Sequence, residues 1–301
     1  MLVDKPAGPT SHDVVDLVRR ATGTRRVGHA GTLDPFASGV LPVLSGRATR
    51  LVPYLVGLGK QYTGVLRLGI TTDTDDGTGT VLGTDAGWQS LANEVVVEAM
   101  ATLTGPQSQR PPVYSARKVA GVPAHRRARR GQEVTLAPRD IAVHAFACTG
   151  REGPDVAFTA QVSSGTYIRA LARDLGERLG CGAHLVALRR TAVGPWTERD
   201  AVPLDRVVPP FALGPALAAV VHLPHRALDA DEAAGVRHGR TVAARDAPAG
   251  PCALVEHGAL LAVAERQGDQ LVPRVVLAGL PSRPSSPSAA STVCIWVTSP
   301  S

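Results

Sequence analysis

Arg26-Val27-Gly28-His29-Ala30-Gly31-Thr32-Leu33-Asp34-Pro35-Phe36-Ala37-Ser38-Gly39-Val40-Leu41 sets one carboxylate, Asp34, among four small residues, Gly28, Ala30, Gly31 and Gly39. Glycine lets the backbone adopt positive φ and approach a ligand closely. Pro35 fixes its own φ and pushes Asp34 away from helical geometry. The string therefore predicts a constrained loop with one acid at its tip, rooted in a core by the apolar run from Val40 to Leu44. An isolated Asp-Pro would be read as an ordinary turn. Sixteen residues of this composition are more specific than the dipeptide.

Before this loop, Thr10 and Ser11 can cap a helix, with Asp13 placed for a capping box. That helix would carry Val14, Val15, Leu17 and Val18 and stop near Gly23. Arg19, Arg20, Arg25 and Arg26 lead from it into the Asp34 loop, as a solvated helix end or as phosphate contacts.

After the loop, Ala48 to Leu58 reads as a helix bent or broken by Pro53, and Tyr62 to Ile70 as a strand. Thr71 to Gly77 is acidic and turn-rich, but a calcium loop starting at Asp73 would need glutamate where Thr84 stands. Asp76-Gly77 is better read as a turn. Leu91 to Leu103 reads as an amphipathic helix, and Val156 to Val162 alternates like a strand. Tyr167 to Leu179 forms a further helix closed by Gly180, and Cys181 to Thr191 is an apolar segment with a basic end. From Pro224 onward short strand-like runs appear at Cys252 to Val255, Leu260 to Val263 and Val275 to Leu277, with a helix over Asp229 to His238.

The segment from Arg110 to Arg139 holds eight basic residues (Arg110, Arg117, Lys118, Arg126, Arg127, Arg129, Arg130 and Arg139) against one acid, Glu133. Proline and glycine interrupt it, so it is a loop or short elements. A solvated charged face is the plain reading. The near absence of compensating acids, which folding does not require, favours nucleic-acid contact.

Composition narrows the classes. At 44% hydrophobic, the 301-residue chain can build a core for a large domain plus a small one. The formal charge of +6 suits a polyanionic partner. Aromatic residues are 4%, too few for a broad base-stacking platform. Cys148, Cys181, Cys252 and Cys294 lie far apart, which points to free thiols in a reducing compartment and to no zinc site. Walker and dinucleotide glycine patterns are absent. With no secretion-signal pattern and no apolar run of roughly eighteen residues, a cytoplasmic location is expected.

The Asp34 string resembles the catalytic motif G-H-x-G-x-L-D-P of the TruB family of tRNA pseudouridine synthases. The resemblance extends to Asp4-Lys5-Pro6-Ala7-Gly8-Pro9-Thr10-Ser11, Lys60-Gln61-Tyr62, Gly165-Thr166-Tyr167-Ile168-Arg169, and Gly182-Ala183-His184-Leu185 through Leu188-Arg189-Arg190. It implies an α+β fold: a mixed, mostly antiparallel sheet with flanking helices over 1–222, with a basic tRNA-gripping insertion at about 106–151. A small β-rich PUA-like RNA-binding module would follow over 223–280. Family members carry a few more apolar residues before Met1-Leu2-Val3-Asp4. The Pro/Ser-rich 281–301 is expected to be a disordered tail.

The resemblance also implies roles. Asp34 is the essential carboxylate, acting as nucleophile or as a base at the ribose, and is assigned here as nucleophile. Arg169 pairs with it and keeps it ionised. Tyr62 is a catalytic and substrate-contacting aromatic and a candidate base for late proton removal, with Tyr167 a second aromatic at the uracil. His29 helps to hold flipped RNA, and Leu188 touches the uridine. Lys5 and Lys60 lie near RNA or near the site. Arg110, Arg117, Lys118, Arg126, Arg127, Arg129 and Arg130 contact RNA backbone. No cofactor or metal is implied, nor any obligate protein partner. The implied reaction, by a monomer, converts uridine 55 in the T-arm of tRNA to pseudouridine. An RNA-binding, tRNA-folding protein without essential catalysis is the alternative, and a guide-dependent synthase ranks below both.

Overall fold

The computed structural model describes residues 1–115, 136–208 and 214–277, and the backbone of 118–119 and 122–123. The Pro/Ser-rich 281–301, with Cys294, lies outside the described residues. The chain divides into two compact units, one of Met1–Pro35, Gly39–Val56 and Gly194–Ser301, the other of Phe36–Ser38 and Gly57–Val193.

The first unit begins with β1 (Leu2–Lys5) and α1 (Ser11–Thr22). Helix α1 has the expected ends: Thr10 and Asp13 form a reciprocal capping box, and Gly23 closes it in the left-handed region at φ 63°. Val14, Val15 and Val18 fall on one buried face. Strands β2 (Val27–His29) and β3 (Ser38–Ser45) pair antiparallel on either side of the Asp34 loop. Almost all of β3 is buried, so the loop is anchored in the core as the apolar run required. The helix expected over 48–58 is in fact two pieces, a 3-10 turn at Gly46–Leu51 and then α2 (Val52–Val56). Pro53 does not cause a mid-helix break. It stands in the first turn of α2, where its missing N–H costs no hydrogen bond.

The second unit holds β4 (Lys60–Leu68), β5 (Ile70–Thr72), β6 (Val81–Thr84), α3 (Asn93–Ala101), β7 (Gly105–Gln109), β8 (Lys118–Val119), β9 (Val122–Pro123), β10 (Arg139–Glu152), β11 (Asp155–Val162), α4 (Ile168–Leu179) and β12 (Ala183–Val193). Its main sheet has the order β12-β4-β11-β10-β7, antiparallel throughout. Leu66, Leu68, Phe158, Leu171, Leu175 and Leu185 build its core. The single strand expected over 62–70 is interrupted at Gly69, whose φ is 80°. A Cβ there would meet Trp88 Cδ1 at 2.3 Å, so the close approach requires glycine.

The chain returns to the first unit with β13 (Trp196–Thr197) and β14 (Val202–Pro203), the latter parallel to β1, which is itself antiparallel to β3. Then come β15 (His225–Ala227), α5 (Ala230–Arg237), β16 (Val242–Ala243), β17 (Pro251–Glu256), β18 (Ala259–Gln267) and β19 (Gln270–Val276). These last strands form their own five-stranded sheet, β15-β17-β18-β19-β16, over a small core of Val236, Leu254, Leu261 and Leu271. The runs Cys252 to Val255 and Leu260 to Val263 lie within β17 and β18, whereas Val275 to Leu277 overlaps only the end of β19, which stops at Val276. The short β15 and β16 were not anticipated. The architecture is α+β with mostly antiparallel sheets and a β-rich C-terminal module.

Candidate active site

In the first unit the segment around Asp34 is held on both sides of the acid. The backbone N–H of Leu33 donates to Ser11 Oγ at 2.9 Å, and that hydroxyl donates to the Leu33 carbonyl at 3.0 Å. On the other side, the Pro35 carbonyl accepts from Gly8 N–H at 2.8 Å and from Lys5 Nζ at 3.3 Å. The Lys5 ammonium is fully buried and also donates to the carbonyls of Pro9 (2.8 Å) and Pro6 (2.9 Å). Gly31 and Gly39 take φ values of 109° and 105° at the two ends of the loop, where a side chain would be strained. Leu33 and Ala37 are buried, whereas Asp34 is half-exposed. The loop thus presents one carboxylate from a backbone fixed at both neighbours. His29 ends β2 and meets the ring of His12 edge-on at 6.5 Å. Sequence reasoning did not single out His12.

In the second unit Tyr62 sits on β4, opposite Ala160 of β11 and Arg190 of β12. Its side chain is almost fully buried and is hydrogen-bonded to the Arg190 guanidinium, which is itself 1% exposed. Burial works against the Arg190 charge, and the Tyr62 oxygen partly offsets it. Lys60, two residues earlier on β4, is 7% exposed and has its ammonium pulled down to about 8, first by desolvation and then by the Arg190 charge. Leu188 is buried on β12 opposite Gly64 of β4.

Tyr167 caps α4 with its backbone gripped by one side chain: its N–H donates to Gln109 Oε1 at 2.9 Å, and its carbonyl accepts from Gln109 Nε2 at 3.1 Å. Arg169, in the first turn of the same helix, is 4% exposed. Its guanidinium donates to the Thr74 carbonyl (2.8 Å) and the Tyr114 carbonyl (2.9 Å) and lies 3.4 Å from Asp76 Oδ2. Asp76 is equally buried, and its other oxygen accepts from Thr74 Oγ1, Thr78 Oγ1 and Thr78 N–H. The acidic stretch read as a turn is therefore a platform for α4. Arg173, one turn further, bonds Asp75 at 3.0 Å, Asp174 at 2.7 Å and the Arg110 carbonyl at 2.8 Å. Arg169 and Arg173 stand four apart on a buried helix face, and Asp73, Asp75 and Asp76 crowd four positions; that charge match was the signal available in the sequence.

Of the basic segment, Arg110 is exposed and reaches Glu177 at 3.4 Å, a solvated pair. Arg117, Arg126, Arg127, Arg129, Arg130 and the Lys118 side chain lie outside the described residues. The described thiols Cys148, Cys181 and Cys252 are free. No helix among the described residues is long and apolar enough to cross a membrane.

Residues 19–168 match the TruB family pseudouridylate synthase N-terminal domain, and 169–213 match the tRNA pseudouridylate synthase B C-terminal domain. A Thermobifida fusca (strain YX) protein named tRNA pseudouridine synthase B is 49% identical over 93% of this chain and 98% of its own length. A namesake from Parasynechococcus marenigrum (strain WH8102) is 44% identical over 92% of this chain and 96% of its own. Among solved structures, the chain is similar to one from an H/ACA RNP bound to a substrate RNA containing 2′-deoxyuridine. That likeness has a TM-score of 0.71 and 27% identity, over 93% of this chain and 84% of the other. A chain from a Cbf5–Nop10–Gar1 complex gives 0.71 and 28%, over 92% and 84%. The matched regions run through both the Asp34 loop and the start of α4, and relatives this similar extend over nearly the whole sequence: the chain belongs to the TruB family of pseudouridylate synthases.

Proposed function

We propose that this chain converts uridine 55 in the T-loop of tRNA to pseudouridine, with Asp34 as the nucleophile. The observation that carries the reading is the Asp34 loop, where a half-exposed carboxylate stands between two residues whose backbones are tied to Ser11, Gly8 and Lys5. Binding alone has no use for a carboxylate presented so rigidly, since phosphate would be repelled by it. A nucleophile gains from being held near its attack geometry before substrate arrives.

The reaction breaks the bond between C1′ and N1, turns the uracil, and joins C5 to C1′, with the C5 hydrogen leaving as a proton. Attack by Asp34 on the sugar or base holds the fragments on the enzyme while the base turns. Arg169 serves as the cationic partner of the acid. Tyr62 contacts the base and takes the C5 proton late in the reaction. His29, Tyr167 and Leu188 hold a uridine that has left its stack, because the chemistry is out of reach inside a stacked loop. The basic segment from Arg110 to Arg130 grips the T-arm through phosphates. Residues 1–222 serve as the catalytic domain and 223–280 as a PUA-like RNA-binding module, in a monomer that works in the cytoplasm. Names of the similar proteins, tRNA pseudouridine synthase B, support tRNA as the substrate.

Site mapping by carbodiimide modification and primer extension tests the position. Wild-type protein acting on an unmodified tRNA transcript should give one stop, at the T-loop uridine, and none on a transcript with cytidine there. A stop elsewhere, with the T-loop untouched, would overturn the assignment.

A further inference from the structure

We propose that the first unit carries a second RNA-backbone surface, made of Arg20, Arg25, Arg26, Arg47 and Arg50, none of which belongs to the Arg110–Arg130 segment. The inference rests on RNA being the substrate, as proposed above. All five arginines are exposed, and none of them makes an ion pair among the described residues.

Local structure brings the five together. Arg19 in the last turn of α1 bonds Asp16 at 2.6 Å and also donates to the carbonyls of Arg25 and Val27. This binds the helix end carrying Arg20 to the strand entry carrying Arg25 and Arg26, and leaves Asp16 already taken. The Arg26 carbonyl accepts from Gly46 N–H at 2.7 Å, and Arg26 Nε donates to Thr49 Oγ1 at 2.8 Å. The 3-10 turn of Gly46–Leu51 is thereby fixed beside Arg26, with Arg47 and Arg50 on its outer side.

Arg47 and Arg50 are aimed as well as exposed. Arg47 Nη1 donates to the Leu277 carbonyl at 3.1 Å, and Arg50 Nη1 to the Val276 carbonyl at 2.8 Å, at the end of β19. A carbonyl anchor orients a guanidinium without cancelling its charge, and most of its five donors stay available. Glu265, on β18 beside that strand, is taken by Arg274 at 2.9 Å. Five fixed or crowded cations with no acid among them repel one another, and folding does not require that arrangement. A polyanion with regularly spaced phosphates removes the repulsion, and the planar guanidinium fork suits phosphate oxygens. Arg25 and Arg26 directly precede β2, which runs into the Asp34 loop, and Arg47 and Arg50 follow β3, which leaves it. A strand of RNA held here would lead toward the proposed nucleophile.

The test is tRNA affinity against salt, from about 50 to about 200 mM, because each phosphate contact adds about 0.9 to the slope of log K on log salt for duplex and about 0.7 for single strands. The variants are R20Q/R25Q, R47Q/R50Q, and a control of equal charge change, R199Q/R206Q, at two exposed arginines of the same unit. Arg20 and Arg25 make no side-chain hydrogen bond among the described residues, so R20Q/R25Q reads charge without touching the fold. Each surface double variant should lower the slope by about 1.4 to 1.8, equally for tRNAs of different sequence, with the control at the wild-type slope. Slopes of R20Q/R25Q and R47Q/R50Q equal to the control would overturn the surface, whatever the wild-type activity. A wild type that binds with full slope but forms no pseudouridine would remove the catalytic reading and leave this surface standing.

Discussion

Replacing Arg173 by methionine removes the cation that sits among Asp75, Asp174 and the Arg110 carbonyl. The arginine and these two carboxylates are 14%, 15% and 24% exposed, so solvent screens them only partly. Breaking a buried pair by deleting one partner costs about 3–5 kcal/mol, and the residual exposure here places the expected loss near the lower end, about 3 kcal/mol at neutral pH. The loss has a pH signature. Desolvation already raises the carboxyls of Asp75 and Asp174, and Arg173 acts in the opposite direction. Without the arginine both rise further, so the folded variant keeps protons that the unfolded chain releases near about 4. A folded state that binds more protons loses stability as pH rises through that range. The deficit of R173M should therefore be largest at neutral pH and shrink toward about pH 4. Urea unfolding followed by Trp88 fluorescence, in a Trp196→Phe/Trp296→Phe background, reads the second unit. Adding Asp75→Asn and Asp174→Asn should return more than half of the loss. A cost below about 1 kcal/mol, or one that grows toward acid, would refute the reasoning.

Three further outcomes follow from the same geometry. Lys60, at about 8 in the folded chain against about 10.5 unfolded, burdens the fold below pH 8. Wild-type stability should rise between those values, by up to about 3 kcal/mol, and Lys60→Met should flatten that rise in a urea series over pH. Ser11→Ala removes both hydrogen bonds to Leu33 from a buried position, and should cost about 2 kcal/mol and lower kcat more than it changes KM, read by denaturation and steady-state turnover. Gly64→Ala would put a Cβ 2.5 Å from the Ala187 carbonyl and 2.7 Å from Phe158, so β4 and β12 must part; thermal unfolding should show at least about 1–3 kcal/mol of destabilisation.

What the sequence revealed and what it hid divide along physical lines. Helix α1 was legible to the residue because its ends are written locally, in the Thr10–Asp13 box and in Gly23. The Asp34 loop was legible because glycine opens positive φ and proline fixes φ wherever they stand. The strand break at Gly69 was not, since it depends on Trp88 arriving from beyond the β5–β6 hairpin. Nor was the work of Asp75 and Asp76, which looked like turn residues. Their partners are on α4, and Arg169 bonds the Thr74 carbonyl across 95 positions of chain. The buried Tyr62–Arg190 bond is similarly hidden, because it follows from the register of β4 against β12. Local signals fixed the ends of elements and the candidate acid, whereas the groups that hold its helpers in place come from sheet order.

The central claim is that Asp34 attacks in a reaction that ends with C5 joined to C1′. Release of tritium from tRNA transcribed with [5-³H]uridine measures that step, because the new bond expels the C5 hydrogen. Wild type should release tritium to a plateau of one equivalent per tRNA, and Asp34→Asn should release none while still binding the same tRNA. Tritium release by Asp34→Asn at the wild-type rate would contradict the account, as would a wild type that binds folded tRNA and releases nothing.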